Sequence, residues 1–164
     1  EGTSEIQRNI IAMFRLRSTV RSKGGFYNEM ADGLAQLPAE TGGPMLADAV
    51  RLMNEVIQSA RKGKLTKNQY VMFQLADMMT WAEVANALCH KAAADETAPA
   101  FMKAAARLFA REAIGKIHAN GLLISQGCGT ILEDVASKLN ALNTEQILAG
   151  SLADMDIVSK ELAA

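Results

Sequence analysis

Residues 66–91 read TKNQYVMFQLADMMTWAEVANALCHK and carry the clearest periodic pattern in the sequence. Their apolar residues recur at alternating spacings of four and three, at Val71, Leu75, Met78, Ala82, Ala85 and Cys89. Because an α-helix has about 3.6 residues per turn, this spacing lines one side of a helix with apolar side chains, as in a coiled-coil seam. We therefore predict a long amphipathic helix here, with Thr66 as its N-cap.

The same period continues on both sides of this stretch. One stripe is formed by Leu46, Val50, Met53, Ile57 and Ala60, and another by Met102, Ala106, Phe109, Ala113 and Ile117. Two further stripes follow a break at Gly127-Cys128-Gly129. The first is formed by Leu132, Val135 and Leu139, and its helix is expected to have Thr130 as N-cap. The second is formed by Leu148, Leu152, Met155, Val158 and Leu162, and its helix is expected to have Asn143 or Thr144 as N-cap. Amphipathic helices with short connections predict an all-α fold, an antiparallel helical bundle.

Composition excludes several classes of protein. The formal net charge is −1 in 164 residues, which gives no support to nucleic-acid binding. No run approaches the roughly 20 apolar residues of a membrane span. Cys89 and Cys128 are interpreted as reduced thiols in a chain without a secretory signal. His90 and His118 lack further ligands at a useful spacing, so no metal site is predicted, and both are expected at the surface or half buried.

The first helix is predicted from about Glu5 to Ser22, with an apolar stripe at Ile6, Ile10, Met13 and Phe14. Ser4 is the expected N-cap, and Gln7, three residues on, is positioned to complete a capping box. The start of such a helix presents unpaired backbone N–H groups and the positive end of the helix dipole, which suit an anion. The carboxylate of Glu1, just outside this start, is a candidate for acid–base chemistry. A helix cap alone would indicate only that a helix begins here.

Residues 1–8, Glu-Gly-Thr-Ser-Glu-Ile-Gln-Arg, and the following Asn9-Ile10-Ile11-Ala12, closely resemble the C-terminal signature of acyl-CoA dehydrogenases. The resemblance implies an oxidoreductase that uses FAD and forms an α,β double bond in an acyl-CoA thioester during fatty-acid β-oxidation. It implies that Glu1 is the catalytic base that removes the α-proton and that Gly2 lies against the thioester. Thr3, Ser4 and Glu5 are implied to contact the FAD.

The same resemblance implies a domain division. Residues 1–22 would be the last helix of the dehydrogenase catalytic domain, and residues 23–43 a linker containing a short helix with Phe26, Met30 and Leu34. Residues 44–164 would form an added helical domain, as in the branch that includes the very-long-chain mitochondrial enzymes. The chain alone is expected to be inactive and to bind no FAD. Implied partners are the acyl-CoA substrate, electron-transfer flavoprotein and further subunits of a homo-oligomer, in the cytoplasm of a bacterium or in the mitochondrial matrix.

An alternative is that the added domain is a helical interaction module for subunit assembly or peripheral membrane docking. The candidate membrane contacts of the chain are two groups of basic residues, Arg15, Arg17, Arg21 and Lys23, and Arg61, Lys62, Lys64 and Lys67. Basic side chains are also favourable at the C-terminal end of a helix and in a solvated turn, and we favour that interpretation of both groups.

Overall fold

Every regular element in the computed structural model, which describes residues 3–97, 99–128 and 132–163, is helical. The α-helices are α1 (Ser4–Arg21), α2 (Gly25–Ala35), α3 (Gly43–Lys62), α4 (Gln69–Ala94), α5 (Pro99–Gly127), α6 (Glu133–Asn140), α7 (Thr144–Leu148) and α8 (Ser151–Leu162). Short 3₁₀ turns at Ala39–Thr41 and Leu65–Lys67 precede α3 and α4. The predicted all-α class is confirmed. Within the described ranges, no helix is both long enough and apolar enough to cross a lipid bilayer.

The core is formed by four helices, α2 to α5, that alternate in direction. Asn28 of α2 lies beside Asn54 of α3 while Asp32, farther along α2, lies beside Arg51, so the two helices are antiparallel. Short connections, residues 63–68 and 95–98, then return the chain along α4 and α5, which pack along one another. The predicted antiparallel bundle is therefore observed.

The two strongest sequence patterns point into this core. The seam of α4 is completely buried at all six of its predicted positions, and so is the whole stripe of α3. The stripe of α5 is buried at Ala106, Ala113 and Ile117 and half buried at Met102 and Phe109. Phe109 stacks on Trp81 of α4, with the ring centroids 5.0 Å apart.

The segment after α1 contributes fully to the core. Tyr27, Ala31 and Leu34 of α2 are completely buried, whereas Phe26 and Met30 of the expected short helix are half buried. Residues 23–43 therefore carry one of the four core helices, and the division of the chain into domains stays a prediction.

One expected helix start is wrong, and one expected helix is divided into two. α4 begins after Asn68, whose side chain accepts a hydrogen bond from the Tyr70 N–H at 2.8 Å, so Asn68 and not Thr66 is its N-cap. At the C-terminal end, Asn143 caps only the five-residue α7, and Gly150, with φ of 79°, separates it from α8. The proposed cap Thr130 lies outside the described residues.

The stripe predicted for the last helix is also wrong as a core-facing stripe. Leu148, Leu152, Met155 and Leu162 are exposed, and Val158 is half buried. The residue of α8 that is buried is Asp154. This helix is thus attached to α5 by polar contacts and turns most of its apolar residues outward.

Two glycines test how tightly the bundle is packed. A Cβ at Gly43 would lie 2.8 Å from the Leu34 carbonyl oxygen, whereas a Cβ at Gly115 on α5 would meet nothing within 4 Å. We expect Gly43→Ala to lower the free energy of unfolding by about 1–3 kcal/mol, because backbone atoms cannot move aside cheaply. Gly115→Ala should raise it by about 0.5–1 kcal/mol, because glycine disfavours a helix interior.

Urea unfolding followed by circular dichroism measures both changes. Equal effects of the two substitutions would contradict the close approach of α2 to the start of α3.

Candidate functional site

The predicted catalytic site falls at the edge of the described chain. Glu1 and Gly2 lie outside the described residues, so their implied roles stay predictions. Thr3, Ser4 and Glu5 are exposed at the start of α1. These three residues form an open helix start and cannot enclose a flavin by themselves.

The cap of α1 differs from the predicted one by one residue. Thr3 is the N-cap, and its hydroxyl accepts a long hydrogen bond of 3.5 Å from the Ile6 N–H. Ser4 is therefore already in the first turn. The position three residues after the cap is Ile6, whose apolar side chain cannot return a hydrogen bond, so the expected capping box of Ser4 and Gln7 is wrong. The exposed N–H groups of the first turn remain suited to an anion.

The orientation of α1 is unusual for a helix on the surface of a bundle. Its side that faces α4 includes Ala12 and Thr19, both completely buried, and the ion-paired Arg8 and Arg15. The opposite side carries the predicted stripe together with Val20, and the exposed fractions lie between 39% and 55% for Ile6, Ile10, Met13, Phe14 and Val20. A surface helix usually turns its apolar side to the core. The predicted stripe of α1 therefore faces away from the core of the described chain.

A polar cluster holds the inner side of α1. Arg15 forms an ion pair with Glu83 of α4, and the other carboxylate oxygen of Glu83 accepts a hydrogen bond of 2.9 Å from the Tyr27 hydroxyl of α2. Arg15 also lies over the ring of Phe26, 5.7 Å from its centroid. Closer to the N-terminal end of α1, Arg8 pairs with Asp77 at 2.8 Å. The cluster joins three helices.

The surroundings of Tyr27 fix its protonation state. Burial raises its pKa well above the ordinary value, and the neighbouring negative charge of Glu83 raises it further. The hydroxyl therefore stays protonated and donates to Glu83 throughout the ordinary pH range. This arrangement provides a fixed hydrogen-bond donor and a paired carboxylate, which suits positioning of α1 better than proton transfer.

Two shallow grooves flank the exposed side of α1. One, of about 390 Å³, lies between Ile10 and Phe14 of α1 and Thr80 and Val84 of α4. The other, of about 400 Å³, lies between Met13 and Val20 of α1 and is closed by Thr66 and Met72. Both grooves are lined mainly by apolar atoms. The exposed side of α1 and its grooves form a surface that suits a protein partner more than a polar small molecule.

A larger polar cleft of about 690 Å³ lies beside α2, α3 and α6. Its centre is the buried Asn54, whose amide donates to the Gly24 carbonyl at 2.9 Å and to Asn28 at 3.0 Å. At its rim, Arg51 pairs with Asp32 and Lys138 pairs with Glu55. These groups satisfy one another and hold the helices together, and they do not converge on a common point as catalytic groups would.

The residues with metal-binding or nucleophilic chemistry are separated. His90 is exposed and His118 half buried, as expected. In the described ranges, no group of three or more His, Cys, Asp or Glu residues is arranged to hold a metal ion. Both cysteines are free thiols, and burial raises the pKa of Cys89 to about 11 and also raises that of Cys128. A raised thiol pKa lowers the reactive thiolate fraction, so neither is arranged as a nucleophile.

Sequence reasoning missed the buried carboxylate of Asp154. Its carboxylate lies between Arg107 and Arg111 of α5, with Arg107 Nε at 3.0 Å and Arg111 Nη1 at 2.6 Å from Oδ2. Arg111 also donates to the Ile147 and Ala149 carbonyls at 2.9 Å and 2.8 Å, and Arg107 donates to the Glu40 carbonyl. The available signal was a pair of arginines four residues apart in a helix and a single acid beside an apolar stripe.

Comparison of the chain with protein-family models, with curated proteins and with solved structures finds no match.

The Asp154 contact makes a direct prediction. Burial would raise the pKa of Asp154, but hydrogen bonds and charge attraction from Arg107 and Arg111 together hold it below its ordinary value. The stabilisation is therefore fully present above the pKa of an unfolded aspartate and is lost as the pH falls through the lowered folded-state pKa. We expect Asp154→Asn to reduce the free energy of local opening of α8 by about 1.5–3 kcal/mol.

Hydrogen exchange of the α8 amides, in dilute solution, measures this opening. Acidification should weaken the protection of α8 in the unchanged chain and have little effect in the variant. The control is Asp156→Asn, since the Asp156 carboxylate is exposed on the same helix and forms no ion pair in the described part of the chain. Unchanged protection in Asp154→Asn would contradict a polar attachment of α8.

Proposed function

We propose that the chain is the C-terminal part of an FAD-dependent acyl-CoA dehydrogenase. In the longer parent enzyme, the carboxylate of Glu1 takes the α-proton of the acyl-CoA, Gly2 lies against the thioester, and Thr3, Ser4 and Glu5 contact the FAD. The FAD, when bound, accepts the hydride that leaves the β-carbon. The dense match of residues 1–8 to the family signature is the basis of the proposal.

The first turn of α1 is compatible with this assignment. The Thr3 hydroxyl accepts the capping hydrogen bond of the helix. The neighbouring Ser4 and Glu5 are exposed and form no side-chain hydrogen bond within the described residues. The backbone N–H groups of Ser4 and Glu5 lie in the first turn of the helix, where N–H groups have no acceptor within the helix. They are therefore available to a phosphate or hydroxyl oxygen. The rest of a flavin site would have to come from other parts of the parent enzyme.

The structural observation that supports the proposal is the apolar outer side of α1. This side begins at Ile6, directly after the proposed flavin-contacting residues, and continues to Val20. Exposed apolar surface of this extent usually marks an interface. A dehydrogenase domain packed on α1 would cover it and would at the same time bring flavin and substrate to the signature. One contact thus accounts for both the signature and the exposed side.

Replacement of the proposed base tests the function. In the parent enzyme, we expect Glu1→Gln to slow the bleaching of bound flavin by acyl-CoA by about a factor of 10² to 10⁴, because the amide cannot accept the α-proton. FAD content should be unchanged. The measurement is anaerobic stopped-flow absorbance after mixing with a series of acyl-CoA thioesters.

The matched control is Glu112→Gln, since Glu112 is an exposed carboxylate on α5 far along the chain from the signature. It should bleach at the normal rate. Normal bleaching in Glu1→Gln would remove Glu1 from the base role.

A second candidate function is assembly or peripheral membrane docking by the helical part that follows α1. It is favoured by the outward apolar residues of α7 and α8 and by the exposed Lys62, Lys64 and Lys67 around the turn between α3 and α4. The basic group at the end of the first helix is less available to a membrane, because Arg15 forms an ion pair with Glu83. Arg61 likewise donates to Gln58 at 2.9 Å.

Deletion from the parent enzyme separates the two roles. The deletion should remove residues 24–164, because α2 packs on α3 and would lose its core contacts if the cut were made at residue 44. We expect loss of dimerisation or of recovery with membranes, with turnover retained in detergent. Unchanged size and unchanged solubility would contradict the second candidate function.

A further inference from the structure

The C-terminal helices carry an apolar stripe that nothing in the described chain covers. We call the side chains of Leu148, Leu152, Met155 and Leu162 the α8 stripe, and their exposed fractions range from 53% to 76%. Leu152, Met155 and Leu162, at spacings of three and seven, lie along one side of α8, and Leu148 precedes them at the end of α7. A stripe of this kind on a terminal helix is typical of a surface that packs against another helix.

The polar attachment of α8 fixes which side is turned outward. Asp154 is held between Arg107 and Arg111, and Arg111 also binds the carbonyls of Ile147 and Ala149 that lead into α8. Because successive helix residues are about 100° apart, rolling Leu152 and Met155 toward the bundle would withdraw Asp154 from both arginines. That withdrawal would leave the carboxylate of Asp154 without its two cationic partners, which would lower the stability of the folded chain substantially. The α8 stripe is therefore held outward.

The charged residues beside the α8 stripe indicate which kind of partner binds it. Asp156 and Lys160 are exposed at its edge, one turn apart, and neither side chain forms an ion pair in the described ranges. An antiparallel copy of α8 that places Leu152 opposite Leu162 of the other copy also places Asp156 beside Lys160 of the other copy, twice by symmetry. This self-complementarity is what a two-fold interface requires. An anionic lipid surface fits less well, since the exposed acids Asp156 and Glu161 outnumber Lys160.

We propose that the α8 stripe is a self-association surface occupied by α8 of a second copy of this chain in antiparallel orientation. The proposal supplies a surface for the second candidate function, subunit assembly, and is independent of the dehydrogenase assignment. The stripe comprises four side chains, so the interface lies at the small end of specific interfaces, below about 1,200 Å² in total. The dimer is accordingly weak and forms in a concentration-dependent manner.

Analytical ultracentrifugation of the complete chain over a wide concentration range tests the surface. A reversible monomer–dimer equilibrium is expected, and Leu152→Glu should raise its dissociation constant at least about tenfold, because a charge would be buried in the interface. The matched control is Ile157→Glu, which makes the same kind of change on the other side of the same helix, where the side chain is also exposed. It should leave the equilibrium unchanged.

A charge exchange tests the orientation. Asp156→Lys and Lys160→Asp should each weaken the dimer, because each brings like charges together across the two-fold axis. The double variant, Asp156→Lys with Lys160→Asp, should restore it. Circular dichroism of each variant reports whether the helix content is kept, and the comparison is made among variants that keep it.

Three results would overturn the proposal. The first is a chain that stays monomeric at every concentration. The second is a dimer unaffected by Leu152→Glu but dissociated by Phe14→Glu, which would assign association to α1. The third is a monomer that binds anionic phosphatidylglycerol vesicles through Leu152, which would assign the stripe to a membrane. If the deletion of residues 24–164 abolishes assembly while Leu152→Glu does not, assembly uses another surface and the second candidate function survives without this one.

Discussion

The ion pair between Arg15 and Glu83 determines how the first helix is attached, and the functional interpretation depends on that attachment. Glu83 is shared with the buried Tyr27 hydroxyl, so one carboxylate joins α1, α2 and α4. Rolling α1 to bury its apolar side would separate Arg15 from this carboxylate and leave the Tyr27 hydroxyl as the only donor to it. The polar side is therefore held inward and the apolar side is left exposed.

The C-terminal end follows the same principle. Asp154 takes the place of an apolar anchor: both arginines of α5 bind its carboxylate, and Arg111 also binds the carbonyls at the end of α7. The four central helices supply most of the side chains of the buried core. The first and last helices are thus attached to the core of the four central helices by arginine–carboxylate contacts. Such contacts are directional, so they fix rotation as well as position.

How much of this could be predicted from the sequence depends on where each helix packs. The seam of α4 and the stripe of α3 were predicted correctly because both sides of each contact lie within this chain. The stripes of α1 and α8 have the same period, yet a period reveals only which side is apolar and not whether this chain covers it. The caps at Thr3 and Asn68 were missed in favour of neighbouring residues with equivalent side chains. The contact of Asp154 with Arg107 and Arg111 spans more than forty residues and has no local signal.

We propose that the apolar side of α1 is an interface to the rest of a longer enzyme, and thiol labelling at Phe14 measures whether that side is covered. Phe14→Cys is made in a Cys128→Ser background, where the remaining Cys89 is buried and has a raised pKa. Its labelling rate is compared between this chain and the parent enzyme, with Glu112→Cys as the exposed reference. We predict rapid labelling of Phe14→Cys in this chain and labelling slowed at least about tenfold in the parent, since a covered thiol reacts only on opening. Equal rates in both proteins would contradict the claim.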